Sequence, residues 1–161
     1  MKKFYITTPI YYVNDTPHIG HAYTTILADV LKRYNQILGK ETFFLTGTDE
    51  HGQKVQEAAQ KRHLKPQTHV DEYVIRFQDL WTKLNIQYSD FIRTTEPRHT
   101  KRVKDALQNI WDRGEIYEDE YEGLYSVSEE RFITEKEYED GSFKGIKKLK
   151  EKNYFFKMSL Y

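Results

Sequence analysis

His18-Ile19-Gly20-His21 stands fourteen residues after the start of the short apolar run Phe4-Tyr5-Ile6 and directly before a long helical pattern. Between them, Pro9-Ile10-Tyr11-Tyr12-Val13-Asn14-Asp15-Thr16-Pro17 carries two prolines and an Asn-Asp pair, so the chain turns there, at the carboxyl end of a strand. Ligands of open α/β sheets bind at that end. A helix N-terminus offers N–H groups and a positive dipole end, glycine allows close approach to the backbone, and two imidazoles add movable donors. The tetrapeptide is therefore a candidate phosphate site. On the bare pattern alone, packed or solvated histidines are the competing reading.

Outward from this point, Leu27, Leu31, Tyr34 and Leu38 fall at helical spacing and Gly39 follows as a stop, which predicts one amphipathic helix. Thr42-Phe43-Phe44-Leu45-Thr46 reads as a buried strand bounded by Gly39 and Gly47. Strand, helix and strand make a parallel βαβ unit. A weaker helical pattern runs through Val55, Ala58 and Ala59 and ends between His63 and Pro66. Thr68 with Asp71 resembles a capping box, followed by the stripe Val70, Val74, Phe77, Trp81 and Leu84. Asp90-Phe91-Ile92-Arg93-Thr94-Thr95 predicts a strand ending before Pro97, and Val103, Leu107, Ile110 and Trp111 a helix stopping at Gly114. These stripes read as core rather than ligand pocket.

Beyond Gly114, Tyr117, Tyr121, Tyr125, Val127 and Phe132 alternate loosely with polar residues, as short antiparallel strands do. Residues 115–140 hold eleven acids against Arg131 and Lys136, and residues 141–161 hold six lysines against Glu151. A domain boundary is expected near Gly114. The basic stretch Lys144 to Lys152 reads as a solvated hairpin or loop in preference to a phosphate-binding surface, and Tyr154-Phe155-Phe156 as buried against neighbouring strands in preference to base stacking.

The 161 residues are enough for one ordinary domain, and the formal charge of +0, from 25 basic and 25 acidic residues, gives no global field to recruit nucleic acid or an anionic membrane. Any RNA contact must be local. Cysteine is absent, which excludes disulfides and thiolate zinc sites. Mean hydropathy is -0.83, no run approaches the ~20 apolar residues of a membrane span, and Met1-Lys2-Lys3 is not followed by a secretory signal. A cytoplasmic protein without membrane association is expected.

The second strand leads into Thr46-Gly47-Thr48-Asp49-Glu50-His51-Gly52, beside the carboxyl end of the first. Asp49 there suits a ligand with an ammonium group, or equally an N-cap for the next helix. Together with Thr7-Thr8-Pro9-Ile10-Tyr11-Tyr12-Val13-Asn14, His18 to Thr25, Asp90 to Thr95 and Tyr121-Glu122-Gly123-Leu124-Tyr125, this segment resembles methionyl-tRNA synthetase, from end to end of the chain. The resemblance implies a class I aminoacyl-tRNA synthetase of α/β class: residues 1–114 as the amino-terminal half of a Rossmann-like catalytic domain with a parallel sheet, and residues 115–161 as the start of a small β-rich connective-peptide insertion. It implies activation of methionine by ATP, with magnesium, to methionyl-adenylate, then transfer to methionine tRNA. It also implies His18 and His21 as catalytic and ATP-binding residues with Gly20 beside the nucleotide, and Ile10, Tyr12 and Asp49 as the methionine site.

Two departures qualify what is carried over. Relatives often hold a zinc knuckle whose first Cys-x-x-Cys falls at Ser126 and Glu129 here, so zinc is expected to be absent. Lys157-Met158-Ser159 is followed by Leu160-Tyr161, so it belongs by context to the insertion and not to the family's Lys-Met-Ser-Lys-Ser loop. The missing carboxyl-terminal half must then come in cis or in trans, and the isolated chain is expected to be inactive, poorly soluble or partner-dependent, with an open sheet edge. A stand-alone nucleotide-binding or interaction module is the alternative. A small nucleotidyltransferase outside the synthetases fits less well, because it leaves the Asp49 segment unexplained.

Overall fold

The computed structural model describes residues 2–126, 131–140 and 145–161. It forms two compact units, Met1–Val103 and Lys104–Tyr161. The first holds a four-stranded parallel sheet of β1 (Lys3–Thr7), β2 (Tyr11–Tyr12), β3 (Glu41–Asp49) and β4 (Asp90–Arg93). Leu45 pairs with both Thr7 and Asp90, and Thr48 with both Tyr11 and Arg93. Because a strand has two edges, β1 and β2 must share one side of β3 while β4 takes the other. The first strand thus breaks at Thr8-Pro9-Ile10 and resumes in the same line, as Pro9, which has no N–H to give the ladder, requires.

Helix α1 (Ile19–Ile37) joins the first strand line to β3 and completes the expected parallel βαβ unit. Its faces are distributed unusually. The residues it buries are Thr25, Ala28, Asp29, Lys32 and Asn35, whereas Leu27, Leu31, Tyr34 and Leu38 remain 39–57% exposed. The buried polar groups are satisfied: Asp29 accepts from Gln87 N–H (2.9 Å) and from Arg33 (2.6 Å), Lys32 donates to the Gln87 carbonyl (2.6 Å), and Asn35 accepts from Lys40 (2.7 Å). A helix can bury a polar face when every donor and acceptor there finds a partner.

Helices α2 (Gln53–Lys61) and α3 (Pro66–Lys83) lead to β4. The stripe expected on α3 is core: Val70, Val74, Phe77 and Trp81 pack with Tyr11, Val13, Val55 and Phe91. The expected Thr68–Asp71 capping box is not formed. Pro66 starts the helix after Lys65, which supplies no side-chain cap, so Thr68 already lies inside the first turn. Asp71 instead accepts from Arg93 and Gln67. Leu84 is 37% exposed and only caps the C-terminus.

The division between the units falls within α4 (Pro97–Asp112), which begins directly at Pro97. Its stripe was expected in a core, but α4 buries none of its residues. In the second unit Leu107 and Trp111 border an open apolar cleft of about 630 Å³ with Ile116, Tyr154 and Phe156.

The expected antiparallel strands are present, but two of them are long: β5 (Ile116–Ser126) pairs with β7 (Ile146–Phe156) along eleven residues, and with β6 (Arg131–Ile133) at its far end. Short helix α5 (Glu135–Glu139) follows β6 with a Thr134–Glu137 capping box. From Ile146 the basic stretch is antiparallel strand and not loop, and three of its lysines are solvated as expected, each paired with an acid: Lys148–Glu122 at 2.7 Å, Lys150–Glu120 at 3.2 Å and Lys152–Glu118 at 3.0 Å. Tyr154 is 62% exposed and stacks edge-on against Trp111, so the aromatic trio is less buried than expected. Val127 and Glu129 lie outside the described residues, while Ser126 is fully buried at the end of β5. No helix among the described residues is long and apolar enough to cross a membrane.

Candidate active site

The His18-Ile19-Gly20-His21 segment folds as a reciprocal cap made of two imidazoles. His18 has extended backbone at the N-cap of α1; its Nδ1 accepts from Gly20 N–H (3.1 Å), and Nδ1 of His21 accepts from His18 N–H (3.0 Å). Two otherwise orphaned helix donors are thereby satisfied in the manner of a Ser-x-x-Glu box. Since a backbone amide can only donate, both Nδ1 atoms are bare and each neutral ring carries its proton on Nε2. The rings lie 3.9 Å apart by centroid. Burial, with His18 second, holds His21 below its ordinary imidazole value, which favours the neutral form.

His21 is fixed from behind. It packs edge-on against Tyr11 (4.9 Å) and Phe77 (5.2 Å), and Tyr11 Oη bonds Thr25 Oγ1 (2.9 Å), which also donates to the His21 carbonyl. His18 is exposed. Gly20 has a role that its sequence position did not reveal: a Cβ there would come within 2.9 Å of His18 Cε1, so any larger residue displaces the capping ring.

Ile10, Tyr12, His18 and His21 line one open cleft of about 610 Å³, together with Tyr11, Asn14, Asp15 and Thr16. Gly20 lies one residue before His21 on α1, outside that lining. Asp49 is not a lining residue either, but it ends β3 directly beside Tyr12 in register. It does not cap the next helix, because the N-cap of α2 is Gly52 without any side-chain bond. Its carboxylate is half-buried and meets His51 N–H at 3.4 Å.

Two polar features were not singled out from the sequence. Glu50, wholly buried, accepts both Arg93 nitrogens (2.6 and 3.0 Å) and the hydroxyls of Thr48 (2.7 Å) and Thr95, while its N–H donates to Thr94 Oγ1 (2.9 Å). Arg93 continues to Asp71 (2.5 Å) and holds that carboxyl below its usual range. This bidentate network pins the chain next to Asp49. A single Glu in an acidic loop carries no mark of burial, and its partner is forty-three residues away. His69, also fully buried, bonds the Val13 carbonyl (3.0 Å). A signal for it existed: it sits on the apolar face of α3 beside Val70 and Tyr73. Among the described residues, no group of three His, Cys, Asp or Glu side chains is arranged to hold a metal ion.

Comparison with known proteins agrees along the whole chain. It is 49% identical to the methionine–tRNA ligase of Halalkalibacterium halodurans and 51% identical to that of Campylobacter jejuni, with 99% and 98% of this chain covered. It spans about a quarter of these relatives' length, 26% in each case, and corresponds to their amino-terminal portion. Among solved structures, Mycobacterium tuberculosis methionyl-tRNA synthetase in complex with methionyl-adenylate matches 100% of this chain and 33% of its own, with a TM-score of 0.90 at 37% identity. The parallel sheet is accordingly the Rossmann-like amino-terminal fold of a class I synthetase. The family described as "tRNA synthetases class I (M)" matches residues 4–159, and the chain belongs to it.

Proposed function

We propose that the chain supplies the nucleotide- and methionine-binding half of a methionine–tRNA ligase, with residues 1–114 in the catalytic domain and residues 115–161 opening its insertion. The observation that carries this reading is the imidazole cap: two histidines at a helix N-terminus, each Nδ1 taken up by the cap, in one cleft with Ile10 and Tyr12 and beside the strand that ends in Asp49. In the first step a methionine carboxylate oxygen attacks the α-phosphorus of ATP; a P–O bond forms and the bond to the leaving pyrophosphate breaks. In the second, a ribose hydroxyl of methionine tRNA attacks the activated carbonyl and releases AMP.

Both steps bring anions or poor nucleophiles together, so alignment and charge stabilisation dominate. His18 and His21 donate from Nε2 to phosphate oxygens, aided by the positive end of α1. They act as stabilisers, not bases, since their Nδ1 atoms are occupied by the cap. Gly20 keeps the His18 ring seated and leaves room for the nucleotide. Asp49 binds the methionine ammonium group, and Ile10 and Tyr12, 45% and 40% exposed, offer apolar surface for the thioether side chain. Magnesium would accompany ATP, held largely by its phosphates. The insertion is metal-free in this reading, because a serine hydroxyl at Ser126 and a chain without cysteine are a poor donor set for zinc. The cytoplasm is the compartment that fits.

Methionine-dependent exchange of pyrophosphate into ATP tests the proposal. The 161-residue chain alone is expected to show none, and robust exchange by it would overturn the half-site reading. In a complete enzyme carrying this segment, Asp49→Ala should raise the methionine KM by well over tenfold, the scale of one charged hydrogen bond lost, with little change in the ATP KM. Equal loss for both substrates would refute the ammonium role.

A further inference from the structure

We infer that His69, on α3, is a positioning residue for the candidate site, acting through the backbone of Val13 on the loop that walls the His18–His21 cleft. What is positioned rests on the proposed function; that something is positioned does not. The loop Asn14-Asp15 faces two cavities. On one side it lines the cleft of about 610 Å³ with Ile10, Tyr12, His18 and His21; on the other it lines a polar cavity of about 440 Å³ with Lys54, Arg62, His69 and Tyr73. A wall open on both faces gains little from packing, so its place depends on how its end is tied.

The tie is built from buried parts. Val13 and His69 are both 0% exposed. Nε2 of His69 lies 3.0 Å from the Val13 carbonyl, and Nδ1 lies 3.1 Å from Arg62 Nη1. Arginine can only donate and a carbonyl only accept, so the imidazole is neutral with its proton on Nε2, and both of its nitrogens are satisfied. Tyr73 stacks on the ring at 4.4 Å and 23°, and Arg62 is itself held by Glu72 at 2.5 Å. Each degree of freedom of the ring is thus fixed by a neighbour. The bond spans fifty-six positions of sequence and joins α3 to the residue between Tyr12 and Asn14, both cleft-lining residues. An apolar residue would fill the same space in the core, so the imidazole's contribution beyond packing is this directed bond.

Backbone ¹⁵N relaxation of the 161-residue chain tests this without any substrate. In the unsubstituted chain Asn14, Asp15 and Thr16 should show rigid order parameters, about 0.85. His69→Leu keeps an apolar volume but loses the donor; the same three order parameters should fall below about 0.6, while those of β3 and α1 are unchanged. His69→Gln retains a donor near the Nε2 position and should restore a rigid loop. An equal fall throughout the first unit in His69→Leu, or a mobile loop in a folded His69→Gln, overturns the inference. Should His69→Leu not fold, the Gln variant decides by the same loop amides, and ¹⁵N imidazole spectra of the unsubstituted chain at neutral pH must show His69 protonated at Nε2; protonation at Nδ1 overturns it as well.

Discussion

Helices α1 and α3 have nearly the same length and both carry a periodic apolar stripe, yet they use it in opposite ways. On α3 the stripe is the core of the first unit, with Phe77 and Trp81 at 0% exposure. On α1 the stripe lies on the outside, from Ile19 at 86% and Tyr23 at 71% to Ile37 at 83%, and the helix instead presents Asp29, Lys32 and Asn35 inward. Periodicity specifies that a segment is helical and has two faces. It does not specify which face this part of the chain covers, because an apolar face can equally be shaped for a surface contributed from elsewhere.

The largest test of this contrast is in the α3 core. Phe77→Ala should cost about 3–5 kcal/mol by transfer and cavity terms together, seen as a fall in the urea midpoint at unchanged slope. Next, the polar face of α1 should resist what looks like improvement: Asp29→Leu adds apolar surface to a buried position but strands the Gln87 N–H, and should destabilise by about 1–3 kcal/mol. A neutral or stabilising result would mean that the inward polar face is incidental. Smaller still, Leu31→Ser on the outer stripe should change stability by no more than about 0.5 kcal/mol, while lowering self-association of the isolated chain in sedimentation velocity. A loss comparable with that of Phe77→Ala would show that the stripe is covered within this chain.

The smallest effect is on pH dependence. His21 lies below its ordinary value through burial and His18; His69 lies below it through burial, which outweighs its bond to Val13. Just below pH 6.5 the folded state therefore binds fewer protons than the unfolded state. The associated stability is complete above about pH 6.5 and declines as the pH falls through the depressed folded values. Urea midpoints should be lower near about pH 5.5 than near about pH 7.5, and His69→Gln should reduce the difference. An unchanged difference would leave His69 without a share in it. Asp71, lowered mainly by Arg93, contributes separately and only in the acid range.

The contrast also sorts what could be read beforehand. The parallel βαβ unit was legible because Phe4-Tyr5-Ile6, the α1 pattern and Thr42 to Thr46 are each locally consistent, and the α3 core because its stripe is strongly apolar. The Thr68–Asp71 box misled because Pro66 starts a helix by fixing φ and giving up an N–H that would be orphaned anyway, which outcompetes a side-chain cap two residues on. The α4 stripe misled for the same reason as that of α1. At the site, His18 and His21 were visible as a pair, but their reciprocal cap and Gly20's steric role required backbone geometry. Glu50–Arg93 and His69–Val13 are long-range pairings whose partners no local pattern links.

The antiparallel ladder of β5 and β7 is patterned by charge. Glu118, Glu120 and Glu122 face Lys148, Lys150 and Lys152, each series repeating every two residues. A ruler with identical marks cannot report its own offset: sliding one strand by two residues would still set acids against lysines for most of its length. The charges neutralise the strand pair without fixing its alignment. The alignment must be keyed by features that occur once, and the aromatic pair Tyr117–Phe155 is such a feature, since the two residues are partners across β5 and β7 with ring centroids 5.8 Å apart. That single pair gives the two strands their zero point.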